Sequence, residues 1–203
     1  MLSATAIIKL QDELTNRWHE AGAVDSVLKD PWLDAVARQH RANFDLWHIE
    51  DEARRPDAAD AKIAEVKRGV DRTNQRRNDL AEDLDRTLLD WLAPQKLPHE
   101  EAPLHSESPG LIIDRLSILA LKIYHTREES DRRDASPAHA ARNRERLAIL
   151  EEQRADLARC LDVLWRETLD GTRRFKLYLQ LKMYNDPSLN PSIYRSSSSD
   201  TRH

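Results

Sequence analysis

The chain contains only one cysteine and four glycines, and it has no charge-free apolar run long enough to cross a membrane. The single cysteine, Cys160, excludes an internal disulfide and a cysteine-rich zinc site. Because glycine is scarce, little material remains for a phosphate-cradling loop, and the chain has no P-loop, G-x-G-x-x-G or G-x-S-x-G motif. The sequence therefore lacks the short motifs that mark nucleotide-binding loops and serine hydrolases.

Basic charge is not in excess either, since the net charge is −4 and the pI is about 6.1. Nucleic-acid binding is therefore not indicated. The N-terminal residues M-L-S-A-T-A-I-I-K-L-Q-D-E lack the basic start and continuous apolar core of a signal peptide, which predicts a cytoplasmic protein without a membrane span.

Charged residues and helix-forming residues are abundant, and 33% of the chain is Asp, Glu, Lys or Arg. With apolar residues at helical spacing, this predicts an all-α protein, an antiparallel bundle in one domain over 1–190 with a disordered tail over 191–203. Asp30 and Ser108 are predicted N-caps, each before a proline, and Gly171 is a predicted helix-ending residue. The predicted helices span 3–20, 31–55, 57–92, 108–125 and 137–168, with a short C-terminal helix over 172–184.

The helix over 108–125 is predicted to be central and buried, because ten of the fourteen residues from Leu111 to Tyr124 are apolar and they cover most of its faces. It also carries Asp114, Arg115 and Lys122. Arg115 and Lys122 are seven residues apart and share a face, while Asp114 points the opposite way. Either these charges pair with neighbouring helices, or Arg115 and Lys122 hold an anionic ligand.

Polar residues interrupt the apolar stripes of several helices, which predicts a polar cavity inside the bundle. The alternative is a network of ion pairs and hydrogen bonds that fixes helix register. The candidate ligand-binding residues are His48 and Asp51 in the second helix, Asp71, Asn74, Arg77 and Asn78 in the third, Arg115 and Lys122 in the fourth, and Arg154 in the fifth.

Two further groups of residues are candidates for chemistry. Lys182, Tyr184 and Asn185 cluster where the last predicted helix stops, in a segment that is also an ordinary helix-ending turn. Asp51, Asp71 or Asp85 could hold a hard cation such as Mg²⁺, although the sequence does not specify such a site. The paired Glu-x-x-His motifs of a ferritin-type di-iron centre are absent.

With these segments in view, the chain resembles a bacterial family of unknown function, the domain of unknown function 4254 family. The matching stretches are L-W-H-I-E-D-E-A-R, V-K-R-G-V-D-R-T-N-Q-R-R-N-D-L, S-E-S-P-G-L-I-I-D-R-L-S-I-L-A-L-K-I-Y-H and L-K-M-Y-N-D-P-S-L-N-P. The resemblance implies a helical fold and a link to lipopolysaccharide or other envelope glycan synthesis. It implies no catalytic residues.

Three functions remain open from the sequence. The first is an accessory protein that binds an anionic sugar, a sugar nucleotide or a glycosyltransferase during envelope glycan synthesis. The second is a metal-assisted phosphoester or nucleotide-sugar hydrolase, with Arg115, Lys122 and Arg154 neutralising phosphate charge. The third is a purely structural helical interaction protein.

Overall fold

The computed structural model describes residues 2–21, 27–54, 59–181, 188–189 and 191. Within these ranges the chain forms five α-helices and no strand, apart from an isolated bridge between Leu104 and Arg174, which confirms the all-α prediction. No helix in the described ranges is both long and apolar enough to cross a bilayer. The helices are α1 (Ala4–Ala21), α2 (Pro31–Ala53), α3 (Asp60–Leu92), α4 (Pro109–Asp131) and α5 (Pro137–Leu169), and a 3-10 turn (Ala93–Gln95) follows α3.

The helix ends follow the predicted local signals. The Asp30 carboxylate accepts the backbone N–H groups of Trp32 and Leu33, and the Ser108 hydroxyl accepts that of Leu111. After α5, Gly171 takes a left-handed conformation with φ of 71°, which L side chains rarely adopt. These caps satisfy backbone groups that a helix end leaves without partners.

The predicted short helix over 172–184 is wrong in its described part, because residues 172–181 are not helical. The Arg174 N–H donates to the Pro103 carbonyl at 3.0 Å, and the His105 N–H donates to the Arg174 carbonyl at 2.8 Å. Phe175 is buried in the core with 1% exposure. The segment therefore satisfies its backbone against the loop before α4 while Phe175 anchors it. Lys182, Tyr184, Asn185 and residues 192–203 lie outside the described residues.

α4 is the central helix, as predicted, and it contacts each of the other four helices. It runs parallel to α1, since Gln11 lies beside Ile113 and His19 beside Tyr124. It runs antiparallel to α3, where Arg77 meets Asp114 and Asp85 meets Ser108. α2 also runs parallel to α4, so three parallel helices are packed together and two antiparallel ones flank them. The core around α4 includes Ile7, Val36, Leu84, Leu88, Ile112, Ile113, Leu116, Leu161, Leu164 and Phe175.

The rotation of α4 about its axis is the reverse of the predicted one, which placed Arg115 and Lys122 toward the polar interior. The Asp114 side chain is 8% exposed and faces the interior, whereas the Arg115 side chain is 55% exposed. Lys122 is exposed as well. The four neighbouring helices leave one strip of α4 open to solvent, and the two basic residues occupy that strip because a charged group is costly to bury unpaired.

Close packing of α3 on α4 depends on Gly110. A Cβ atom on Gly110 would overlap the Ala81 carbonyl oxygen and lie 2.9 Å from the Asp85 carboxyl carbon. Both obstacles belong to α3, and one of them is backbone, so they cannot move aside cheaply. The absence of a side chain at this position therefore sets the distance between the two helices.

Gly110→Ala should lower the free energy of unfolding by about 1–3 kcal/mol, the usual cost of overpacking. Gly69→Ala is the matched control, because its Cβ would meet only Ile49 Cγ2 at 3.6 Å, an ordinary contact. It should stabilise α3 by up to about 1 kcal/mol through helix propensity. Urea denaturation measures both, and equal effects of the two changes would contradict the close-packing account.

Candidate metal centre

The polar interior predicted from the sequence is centred on Asp114. Its carboxylate accepts hydrogen bonds from Gln39 Nε2 at 2.6 Å, Asn43 Nδ2 at 2.9 Å and Arg77 Nε at 2.8 Å. A second bond from Arg77 Nη2 makes that pair bidentate. The ion pair raises the pKa of the Arg77 guanidinium, mainly through its hydrogen bonds to Asp114. α2, α3 and α4 are thus joined at one buried carboxylate.

A chain of hydrogen bonds continues from this carboxylate to α1. Asn43 Nδ2 donates to Ser117 Oγ at 2.9 Å, and Ser117 Oγ lies 2.7 Å from His40 Nδ1. His40 Nε2 lies 2.9 Å from Thr15 Oγ1, which itself donates to the Gln11 carbonyl. The Thr15 hydroxyl oxygen therefore accepts from His40 Nε2, and the Ser117 hydroxyl donates to His40 Nδ1. Burial lowers the pKa of His40 to about 3, so the ring is neutral and carries one proton, as this chain requires.

Among the other predicted site residues that the structure describes, Asn74 contacts this network through Arg77, and the rest do not join Asp114 in one cavity. Asp51 accepts from Arg54 Nη1 at 3.2 Å on the surface. Asp71 pairs with Lys67, and Asn74 accepts from Arg77 Nη1 at 3.3 Å. The others are Asn78, half-buried on α3; Arg115, 2.7 Å from Glu107; Arg154, paired with both oxygens of Asp12 at 2.8 and 2.9 Å; and Lys122, which lines a cleft between α4 and α5.

The proposed Mg²⁺ ligands are also dispersed. Asp71 and Asp85 are fourteen residues apart on α3, about 21 Å along the axis, so they cannot share one ion. Asp85 is 2% exposed and accepts from the Ser108 hydroxyl and from the Gly110 N–H at 2.6 Å. Burial raises its pKa to about 6. Asp85 therefore serves the packing of α3 against the start of α4.

Removing Arg77 tests whether the Asp114 pair is structural. Arg77→Leu leaves a buried carboxylate without its cation and should cost about 3 kcal/mol of stability. Arg115→Met removes an exposed pair and should cost less than about 1 kcal/mol. Chemical denaturation measures both variants. An Arg77→Leu protein as stable as Arg115→Met would show that Asp114 does not depend on its partner.

The raised pKa of Asp85 predicts a pH dependence of stability. In the folded state the carboxyl keeps its proton up to about pH 6, because burial raises its pKa from the ordinary value of 3.8 to about 6. The stability that this proton confers is present below the unfolded pKa and is lost as pH rises through the folded pKa. The stability of wild type minus that of Asp85→Asn should fall by about 3 kcal/mol between pH 3.5 and 7. A constant difference across denaturation curves in this range would contradict the prediction.

A different polar cluster lies near the ends of the three parallel helices. His19 is in the last turn of α1, His48 in α2 and His125 in α4. One ring nitrogen from each lies within 4.8 Å of the other two, and all three side chains are half-buried. Within the described ranges this is the only group of three or more histidine, cysteine or acidic residues with metal-ligand spacing.

Each ring of this trihistidine cluster is held through its Nδ1 atom. The Nδ1 atoms of His19 and His48 lie 2.8 Å from the carbonyls of Thr15 and Phe44, one helical turn earlier. The His125 Nδ1 lies 2.8 Å from Glu128 Oε2. A carbonyl or carboxylate oxygen accepts, so in the neutral tautomer of each ring the proton is on Nδ1 and the lone pair is on Nε2. The Nε2 atoms of His19 and His125 are buried without a hydrogen-bond partner.

Aromatic rings fix the orientation of these imidazoles. Tyr124 stacks on His19 at 4.1 Å between centroids, and Trp47 stacks on His125 at 4.8 Å. Phe44 contacts His48 at 4.2 Å. Burial among these rings lowers the pKa of His19, which favours the neutral ring that a metal ligand needs.

A family model described as "Protein of unknown function (DUF4254)" matches residues 33–177, more than two thirds of the chain. The chain belongs to this family. No curated protein and no solved structure matches it. The matched region contains His48 and His125, whereas His19 precedes it and the L-K-M-Y-N-D-P-S-L-N-P stretch follows it. The family description names no activity, so the chemistry must come from the geometry of this DUF4254 protein.

The sequence identified His48 as a candidate but not His19 or His125. The three histidines are separated by 29 and 77 residues, so no short motif contains them. One signal was available: each follows an aromatic residue, in Trp18-His19, Trp47-His48 and Tyr124-His125. The three dipeptides lie at the same level along the bundle axis, because their helices run in the same direction. Only the tertiary structure reveals this alignment.

Proposed function

We propose that this DUF4254 protein binds a divalent transition-metal ion through the Nε2 atoms of His19, His48 and His125. The observation that supports this is the convergence of three imidazoles whose Nδ1 atoms are already committed. Metal-binding histidines commonly donate their second ring nitrogen to a carbonyl or carboxylate, which fixes the tautomer. Imidazole ligands suit Zn²⁺, Cu²⁺, Ni²⁺ or Fe²⁺ rather than Mg²⁺.

The cluster needs only small side-chain movements to accept such an ion. Zn–N bonds of about 2.0–2.1 Å place tetrahedral ligand nitrogens about 3.4 Å apart, and one ring nitrogen of each histidine already lies within 4.8 Å of one ring nitrogen of the other two. Three protein ligands leave at least one coordination position for water or a ligand oxygen, the arrangement of catalytic rather than structural zinc sites. A metal at this position would supply a Lewis acid, or a bound water with a pKa near 7.

This proposal retains the two ligand-dependent functions considered from the sequence. It gives both of them a metal held by histidines, whereas from the sequence only the hydrolase used a metal. An anionic-ligand-binding protein would use the open position to hold an oxygen of the ligand. A phosphoester or nucleotide-sugar hydrolase is the second candidate, favoured by the three-ligand set, and it would use histidines instead of Asp51, Asp71 or Asp85. The glycosyltransferase partner, the envelope-glycan role and the cytoplasmic location stay predictions from the sequence.

The untagged protein, freed of metal by chelation, should bind one Zn²⁺ or Co²⁺ per chain in isothermal titration calorimetry. Single changes of His19, His48 or His125 to Ala should weaken that binding by at least about a hundredfold, because each removes a ligand. Co²⁺ should also develop visible d–d absorption on binding. Glu128→Gln should reduce affinity more modestly, about tenfold, since it weakens only the partner of His125.

His99→Ala is the matched control, because His99 is exposed in the loop after α3. It should bind Co²⁺ as wild type does. Circular dichroism and thermal melting of each apo variant check that the bundle is intact. If the three cluster variants bind Co²⁺ as well as His99→Ala does, the trihistidine assignment is refuted.

A further inference from the structure

A cleft adjoins the trihistidine cluster on the side of α5. It has a volume of about 430 Å³ and lies between α4 and α5, with Trp47 of α2 at one side. His125 lines this cleft and also belongs to the trihistidine cluster. A ligand in the cleft would therefore lie against a residue that holds the metal.

Two basic residues on opposite sides of the cleft lack an acidic partner. Lys122 of α4 and Arg146 of α5 line it, and in the described part of the chain neither forms an ion pair. The Arg146 guanidinium contacts only a neutral group there, donating to Asn143 Oδ1 at 3.3 Å. Lys122 precedes His125 by three residues, so both side chains lie on adjacent parts of one helix face.

The one acidic residue that lines the cleft already has a cationic partner elsewhere. Glu129 Oε2 accepts from Arg132 Nη1 at 2.8 Å and lies 2.8 Å from His139 Nε2. The charges of Lys122 and Arg146 are therefore left uncompensated within the cleft, which favours an anion with two negative charges.

Part of the cleft wall is apolar and reaches the solvent. Ile149 is 54% exposed, and Leu150 and Trp47 line the cleft beside it. Exposed apolar side chains beside a few polar groups are typical of a small-molecule site. A ligand that covered them would gain from burying apolar surface as well as from the two charges.

We propose that the cleft binds a phosphate monoester, with the phosphoryl dianion between Lys122 and Arg146 and an apolar or aromatic group against Ile149 and Leu150. Two cationic side chains match the charge of a phosphoryl dianion better than that of a carboxylate. The cleft and its two cations do not depend on the proposed function. Only presentation of the phosphoryl group to a metal at His125 depends on it.

Phenylphosphonate is a suitable probe, because it carries the dianion and a ring but has no ester bond to break. Calorimetry should show that the full chain binds phenylphosphonate more tightly than inorganic phosphate. Its affinity for benzoate, which carries a ring but only one negative charge, should be at least tenfold lower than its affinity for phenylphosphonate. Lys122→Gln and Arg146→Gln should each weaken phenylphosphonate binding at least tenfold, and the double variant should abolish it. Raising the salt concentration should weaken binding as well, since the contacts are ionic.

Arg144→Gln is the charge-matched control, because Arg144 is exposed on α5 and does not line the cleft. It should leave phenylphosphonate affinity unchanged. If the Lys122 and Arg146 variants bind phenylphosphonate as tightly as Arg144→Gln does, or if wild type does not bind it, the cleft proposal is overturned.

Titrations with Co²⁺ and with a chelator separate the two proposals. Wild type that binds phenylphosphonate in chelator and fails to bind Co²⁺ would retain the cleft and refute the metal centre. If wild type binds Co²⁺ but does not bind phenylphosphonate, either with Co²⁺ or with the chelator, the metal centre is retained and the cleft proposal is refuted. If Co²⁺ increases phenylphosphonate affinity and His125→Ala removes that increase, the metal and the phosphoryl group share the site.

Discussion

The buried ion pair between Asp114 and Arg77 is the constraint on which the arrangement of the bundle depends. A carboxylate in the interior is tolerated only if donors surround it, and these donors come from two different helices, α2 and α3. The pair therefore fixes the rotation of α4. His125 follows Asp114 by eleven residues, so the two lie within about 20° of one another around the helix axis. A helix rotation that buries Asp114 against Asn43 also turns His125 toward Trp47 and His48.

The same rotation explains the position of the basic residues. Lys122 is three residues before His125 and therefore lies on the neighbouring strip of α4, beside α5 rather than α2. Gly110 then lets α3 approach closely enough for Asp85 to accept the first N–H group of α4, that of Gly110. One helix thus carries structural charge on its inner face and uncompensated charge on its outer strip, with His125 between them.

Much of the fold follows from local signals, and little of the site does. Asp30, Ser108 and Gly171 act within one turn of the chain, so the sequence reveals the helix ends that they define. The orientation of α4 is different, because a helix that is apolar on nearly every side has no preferred face for burial. Only the long-range partners of Asp114 decide it. The segment after Gly171 also depends on distant groups, since Phe175 and the loop at 103–105 hold it out of a helix.

The trihistidine cluster is the clearest case of a site that tertiary structure creates. Its residues belong to α1, α2 and α4. These helices run in the same direction, so residues at the same level along the bundle axis lie side by side. Each ring is anchored on one edge by a bond that its own helix supplies, so the second edge is free to face its neighbours. His19 lies in the last turn of α1, where the carbonyl end of the helix dipole favours a cation. The bundle thus places three imidazoles, the aromatic rings that support them and a basic cleft at one end, while the Asp114 network holds the helices in register from the middle.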